Sequence, residues 1–201
     1  MSRSFRSAFK TLLFMATASV ICISLITFVY AATRERITRN TNLHKRRAVL
    51  ESAGLNAGIS PQEMQKIFNS RVEYQPAHDL YLIRSAPDGE LTGYVVPQSA
   101  PGLWGRISAV VAIKPDRRTV YGIAFTEQNE TPGLGGKIVS DPSFAAQFAS
   151  GRIAPFSLRP SSKSGERAHT KVDGITGATI TSTAVVQILN KAVQKLQEGE
   201  R

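Results

Sequence analysis

From Thr11 to Ala32 the chain runs 22 residues without a charged side chain. At ~1.5 Å per residue a helix of that length covers ~33 Å, enough for a hydrocarbon core of ~30 Å. The run exceeds the ~7–15 apolar residues of a secretory leader, so it reads as a retained anchor. Cleavage after Val29-Tyr30-Ala31 is the alternative. Residues 33–57 keep a helical pattern but are mostly polar, with Leu43, Val49, Leu50 and Leu55 among charges. They predict a stalk ending near Gly54 or Gly58. Ser60-Pro61-Gln62-Glu63 is a helix start, with Ser as N-cap, Pro at the first helical position and Glu at the third. That helix is predicted to reach about Phe68.

Beyond residue 78 the period shortens. Runs rich in β-branched and aromatic residues at 79–84, 91–96, 107–113 and 119–126 predict four strands, with turns at Pro87-Asp88-Gly89 and Pro115-Asp116. Short strands joined by turns predict an antiparallel sheet, and no βαβ alternation supports a Rossmann fold. A short helix is expected over 144–148, after Asp141-Pro142-Ser143, and a loop over 154–170. The chain closes on an amphipathic helix. Val185, Ile188, Leu189, Ala192, Val193 and Leu196 form its apolar stripe, and hydroxyls at Thr181-Ser182-Thr183 are expected to cap it. The fold class is therefore α+β, a mainly antiparallel sheet packed with helices, preceded by one N-terminal transmembrane helix. The expected division is a cytoplasmic tail over 1–10, a transmembrane helix over 11–32, a stalk and helical linker over 33–78, and a folded domain over 79–201.

Charge sharpens this division. The chain carries 25 Lys and Arg against 15 Asp and Glu. Nine of the basic residues lie in the first fifty positions against Glu35 alone, a net of +8; the remainder is nearly neutral at +2. Basicity flanks the apolar run, which argues against a nucleic-acid partner and for a lipid bilayer. Orientation stays open on charge. Three basic residues precede the span and six follow it within residues 33–47. The positive-inside rule alone would keep the main domain in the cytoplasm, whereas a short basic tail before an apolar segment is also what exported domains carry.

Cys22 is the single cysteine and lies in the apolar run. No intrachain disulfide, zinc knuckle or cysteine-bound iron–sulfur cluster can form. His44, His78 and His169 lie far apart, so redox chemistry here would need an organic cofactor.

Two Gly/Thr-rich segments carry candidate chemistry. Glu130-Thr131-Pro132-Gly133-Leu134-Gly135-Gly136-Lys137 fails as a phosphate-binding P-loop, because Thr131 and Ile138 stand where glycine and a hydroxyl are needed. It fails as GxGxxG because Ile138 takes the last glycine position. It reads as a turn with little bulk, suited to a flat ligand or simply linking two elements, with Gly135 at a candidate φ > 0 position. Glu127 and Glu130 read as solvated or turn-stabilising. The second segment, from Asp173 through Thr176-Gly177-Ala178-Thr179 to Ser182, sits at the mouth of the last helix. It suits either an anion, held by free N–H groups and the positive dipole end, or a well-provided N-cap. Trp104, the lone tryptophan, is either core or a stacking surface. Lys137, Lys171 and His169 are lesser candidates near these segments.

Asp173-x-x-Thr176-Gly177-Ala178-Thr179 resembles the flavinylation signature of the FMN-binding domain, found in the C subunit of the sodium-translocating NADH:quinone reductase and the G subunit of the Rnf complex. Glu130 to Gly135 resembles the same family's second motif. Gly93-Tyr94-Val95-Val96-Pro97 with Gly102-Leu103-Trp104-Gly105 looks closer to the quinone-reductase subunit than to the Rnf one. The resemblance covers about residues 79–196 and the anchor. It implies FMN held as a phosphoester on Thr179, with Asp173, Thr176, Gly177, Ala178, Thr131, Gly133, Leu134, Gly135 and Trp104 around it. It further implies attachment by a separate Mg-dependent, FAD-consuming flavin transferase, other redox subunits as partners, and a domain on the periplasmic or extracellular side of the inner membrane. The chain would be a covalently flavinylated electron carrier. A stand-alone flavoprotein and a non-redox tethered module are the alternatives.

Overall fold

A computed structural model describes residues 3–55, 60–159 and 170–199. The chain divides into two compact units, Met1–Leu43 and His44–Arg201. The first is a stretch of helix α1 (Arg3–Ser52). α1 is long and apolar enough to cross a membrane: its most apolar window has a mean hydropathy of 2.4, and none of that window is buried against protein. Its polar continuation carries an exposed Glu35–Arg39 pair at 3.9 Å.

The second unit holds the remaining elements. These are α2 (Pro61–Arg71), β1 (Val72–Gln75), β2 (Leu80–Arg84), β3 (Leu91–Pro101), β4 (Arg106–Ile113), β5 (Thr119–Glu127), α3 (Lys137–Ser140), α4 (Pro142–Ala146), β6 (Arg152–Ile153), β7 (Ser157–Arg159), β8 (Lys171–Asp173) and α5 (Thr179–Glu198). The six strands β1 to β6 pair in chain order, every neighbour antiparallel. The fold class is α+β, as the strand and turn pattern predicts.

Alternation along the strands builds a core on each face of this sheet. Ile107, Ala109, Val111 and Ile113 of β4 join Tyr94 and Val96 of β3 on one face. The α5 stripe of Val185, Ile188, Leu189, Ala192, Val193 and Leu196 covers that face. Val110 and Ala112 point the other way, with Val95, Ile83 and Ala124. Successive strand residues face opposite sides, so one strand serves both cores.

The structure corrects the expected stalk. Its last turns are core: Ala48 and Val49 pack on the second face, with Phe68 and Tyr81 beside them. The backbone of α1 comes so close to the sheet that a Cβ on Gly122 would lie 1.9 Å from the Ser52 carbonyl oxygen. The helix ends at Gly54, whose φ of +70° accompanies paired bonds from Gly54 N–H to the Glu51 carbonyl and from Leu55 N–H to the Leu50 carbonyl.

α2 starts at the predicted cap and runs past Phe68 to Arg71. β1 follows directly, so the sheet begins upstream of residue 79, inside the expected linker. Its four residues were too few and too mixed to read as a strand. β3 extends to Pro101 because it continues to pair with β4 through that position. Within the expected loop over 154–170, Ser157–Arg159 forms β7 and pairs in parallel with β8; residues 160–169 lie outside the described set, His169 among them.

Candidate functional site

Three loops meet at the mouth of α5. The first is the tip of the β3–β4 hairpin, closed by a bond from Gly102 N–H to the Gly105 carbonyl at 2.7 Å. Leu103 and Trp104 stand on this tip with 55% and 69% of their surface exposed. Trp104 is therefore not a core residue.

The second loop follows β5. Glu130 is 5% exposed, so of the two expected roles the solvated one is corrected and the turn-stabilising one remains. Its Oε1 accepts from the N–H groups of Leu103 at 2.9 Å and Trp104 at 3.2 Å. Its Oε2 accepts from the Thr181 hydroxyl at 2.5 Å. The chain then turns about the Thr131 carbonyl, which accepts from Leu134 N–H at 3.1 Å and Gly136 N–H at 2.9 Å. The left-handed residue here is Gly133 at φ +77°, not Gly135. Gly135 is required for another reason: a Cβ there would lie 2.6 Å from Thr181 Oγ1 and 2.7 Å from Glu130 Oε2.

The third loop links β8 to α5. α5 begins at Thr179, and its N-cap is Ala178, which makes no side-chain capping bond. This corrects the expectation that Thr181, Ser182 and Thr183 cap the helix. Thr181 bonds Glu130 instead. Ser182 accepts from Ile175 N–H and donates to the Ala178 carbonyl, both at 2.9 Å. Thr181 and Ser182 are each 1% exposed, so they lie inside the fold and below the helix mouth. Among the described residues no side chain caps the first-turn N–H groups, which lie at the positive end of the helix dipole. Gly177 holds φ +79°, and a Cβ on it would come within 3.2 Å of Leu134 Cδ2.

Together the loops enclose an open cleft of about 240 Å³, lined by Leu103, Glu130, Thr131, Leu134 and Gly135 and by residues 177–181. Its base is polar through Glu130 and Thr181. Its rim is apolar through Leu103, Leu134 at 46% exposure and Ile180 at 55%. Thr179 is exposed at the lip. A planar, partly apolar ligand with an anionic tail fits this arrangement: apolar side chains for the plane, uncapped N–H groups and a free hydroxyl for the tail.

The remaining candidates fall elsewhere. Asp173 pairs with Arg159 at 3.0 Å, and its N–H donates to Gln147 Oε1 at 2.9 Å. With Thr176 and Lys137 it lines a second concavity against α4. Lys171 donates to the Ser157 hydroxyl at 2.9 Å. Gly93 to Pro97 lie within β3, where Tyr94, Val95 and Val96 serve the two cores. Glu130 and Thr181 are the residues that sequence reasoning missed.

The family model for the FMN-binding domain matches residues 102–194. The chain is 30% identical to the C subunit of the Na(+)-translocating NADH-quinone reductase of Vibrio anguillarum, over 88% of this chain and 86% of that one. It is likewise 30% identical to the G subunit of the ion-translocating oxidoreductase complex of Methanosarcina acetivorans, over 94% of this chain and 96% of that one. The crystal structure of the C subunit of the Na(+)-translocating NADH-quinone reductase of Parabacteroides distasonis superposes with a TM-score of 0.63 at 25% identity, covering 82% of this chain and 95% of that one.

Proposed function

Because the chain belongs to the FMN-binding domain family, we propose that it is a membrane-anchored electron-transfer subunit that carries FMN as a phosphoester on Thr179. The observation that carries this reading is the cleft itself. Both Gly-rich segments and the hairpin tip converge on one hydroxyl, exposed at an uncapped helix mouth.

Each residue has a stated part. Thr179 Oγ forms the phosphoester; with FAD as donor, the new P–O bond replaces the phosphoanhydride, AMP leaves and the hydroxyl proton is lost. Threonine is a weak nucleophile, and no base lies among the described hydrogen bonds of Thr179, so a separate flavin transferase supplies the activation. The uncapped N–H groups of α5 and its dipole favour the phosphate's negative charge. Gly177 and Ala178 leave room for it beside the backbone. Leu103, Leu134 and Ile180 offer apolar surface to the ring and limit water there, with Trp104 beside them on the hairpin tip. The flavin supplies the electron-transfer chemistry. Asp173 lies outside the cleft, and we assign it to presentation of the signature turn, through Arg159 and Gln147.

By this reading residues 11–32 anchor the chain in the inner membrane, the domain faces the periplasmic or extracellular side, and the partners are other subunits of an ion-translocating NADH:quinone reductase or Rnf-type complex. Co-expression with a flavin transferase tests the chemistry. The denatured protein should remain yellow and gain the mass of one FMN less water. Thr179→Ala should lose both signals; covalent flavin persisting on that variant would sink the site. A phosphatase reporter after Arg201 tests the side, since activity requires export.

A further inference from the structure

Resting on Thr179 as the flavin-bearing residue, we propose that Glu130 is a positioning residue: it latches the hairpin tip carrying Leu103 and Trp104 to the first turn of α5, and thereby sets what lies beside the flavin. A buried carboxylate costs several kcal/mol unless its oxygens are satisfied. At Glu130 both are satisfied, and by different elements. Oε1 takes two N–H groups of the hairpin tip, 26 and 27 positions away in sequence; Oε2 takes the Thr181 hydroxyl, 51 positions away.

The surroundings are shaped for this one group. A Cβ on Gly102 would lie 2.5 Å from Oε1, and one on Gly135 would lie 2.7 Å from Oε2. A side chain at either position would displace the carboxylate. Backbone pairing through Pro101 and the Gly102–Gly105 bond close the tip on itself, but they do not tie it to α5. Leu103 and Trp104 are mostly exposed, so burial does not fix them, and a hairpin tip without packing opens at low cost. The bonds from their N–H groups to Glu130 tie the tip to the helix that bears Thr179. A flavin tethered by its tail alone would swing; an apolar tip held at a fixed height beside it gives the ring one environment.

Trp104 is the only tryptophan, so its emission reports the tip alone. The experiment uses the full chain in detergent, before and after flavin loading by the transferase. It compares wild type with Thr181→Val, Thr181→Ser and Glu130→Gln. Measured are Trp104 anisotropy in the flavin-free protein, quenching of Trp104 by attached flavin, and the flavin midpoint potential. Thr181→Val keeps the shape of the threonine and removes the hydroxyl. It should lower the anisotropy, lose part of the quenching and shift the potential. Thr181→Ser should restore all three. Glu130→Gln should fall between, because an amide can accept from the tip and donate to Thr181. Wild-type anisotropy and quenching in both Thr181→Val and Glu130→Gln, with flavin attached, would overturn the latch. Should Thr181→Val lose its cooperative melt, Glu130→Gln decides by the same criteria. Absence of flavin on wild-type Thr179 would defeat the underlying reading instead, and the flavin-free anisotropies would still decide the latch.

Discussion

The N-termini of α2 and α5 are built in opposite ways. At α2 the Ser60 hydroxyl accepts from Glu63 N–H at 3.3 Å, and Glu63 Oε2 accepts from Ser60 N–H at 3.0 Å. Pro61 occupies the first turn, where a missing N–H costs nothing. The helix satisfies itself. At α5 more hydroxyl groups are present and none caps the helix. Thr181 and Ser182 turn inward to bond Glu130 and the turn before the helix. The difference teaches that capping residues are used for capping only where the end has no other task. At α5 they hold Glu130 and the preceding turn, and among the described residues no side chain caps the first turn.

The largest expected effect separates the two ends completely. Thr179→Ala should abolish covalent flavin while leaving the melting temperature of the flavin-free chain near wild type, because the side chain is exposed. Ser60→Ala should do the reverse, with full flavin content and a loss of ~1 kcal/mol at α2, read by denaturant unfolding. Equal flavin loss in both would erase the distinction.

Gly135→Val tests how tightly the α5 site is packed. Its side chain meets Glu130 and Thr181, and overpacking of this kind costs ~1–3 kcal/mol. Denaturant unfolding of the flavin-free chain should show that loss, together with lower flavin content by intact mass. Leu134→Ala should be milder. At 46% exposure it contributes little to stability, so the melt should stay near wild type while the flavin midpoint potential and visible spectrum shift. Unchanged spectra in both variants would place this loop away from the ring.

The smallest effect is the pH dependence of the capping carboxylates. The Ser60 hydroxyl, and then its N–H, hold the Glu63 carboxyl below the ordinary glutamate value. The Ser143 hydroxyl, and then its N–H, do the same for Asp141 at the start of α4. A folded-state value below the unfolded one means that this stabilisation is complete above the unfolded pKa and is lost as pH falls through the folded one. The melting temperature should therefore hold near neutrality and begin to fall as the pH enters the carboxylate range near ~4. In Glu63→Gln the acid limb should be shallower. No such change is expected from Thr179→Ala, which carries no titrating group.

The elements of this protein were legible wherever one local interaction decides them. Hydropathy alone marked the apolar length of α1. The capping box marked α2, and the apolar stripe marked α5. Runs of β-branched and aromatic residues between turn signals marked β2 to β5, because a strand buried between two cores is apolar on both faces. The two Gly/Thr-rich segments were legible as candidate chemistry, because family motifs are local in sequence.

Tertiary structure decided everything that depends on partners far along the chain. β1 is a strand because β2 pairs with it, and the end of the stalk is core because Gly122 lets it approach. Asp173 left the cleft because Arg159 and Gln147 hold it elsewhere. Glu130 lies among polar residues and carries the ordinary signature of solvent exposure. Its burial follows only from the meeting of a hairpin tip and a helix, 26 and 51 positions away. A hydrogen bond records distance in space, and local pattern carries no measure of that distance.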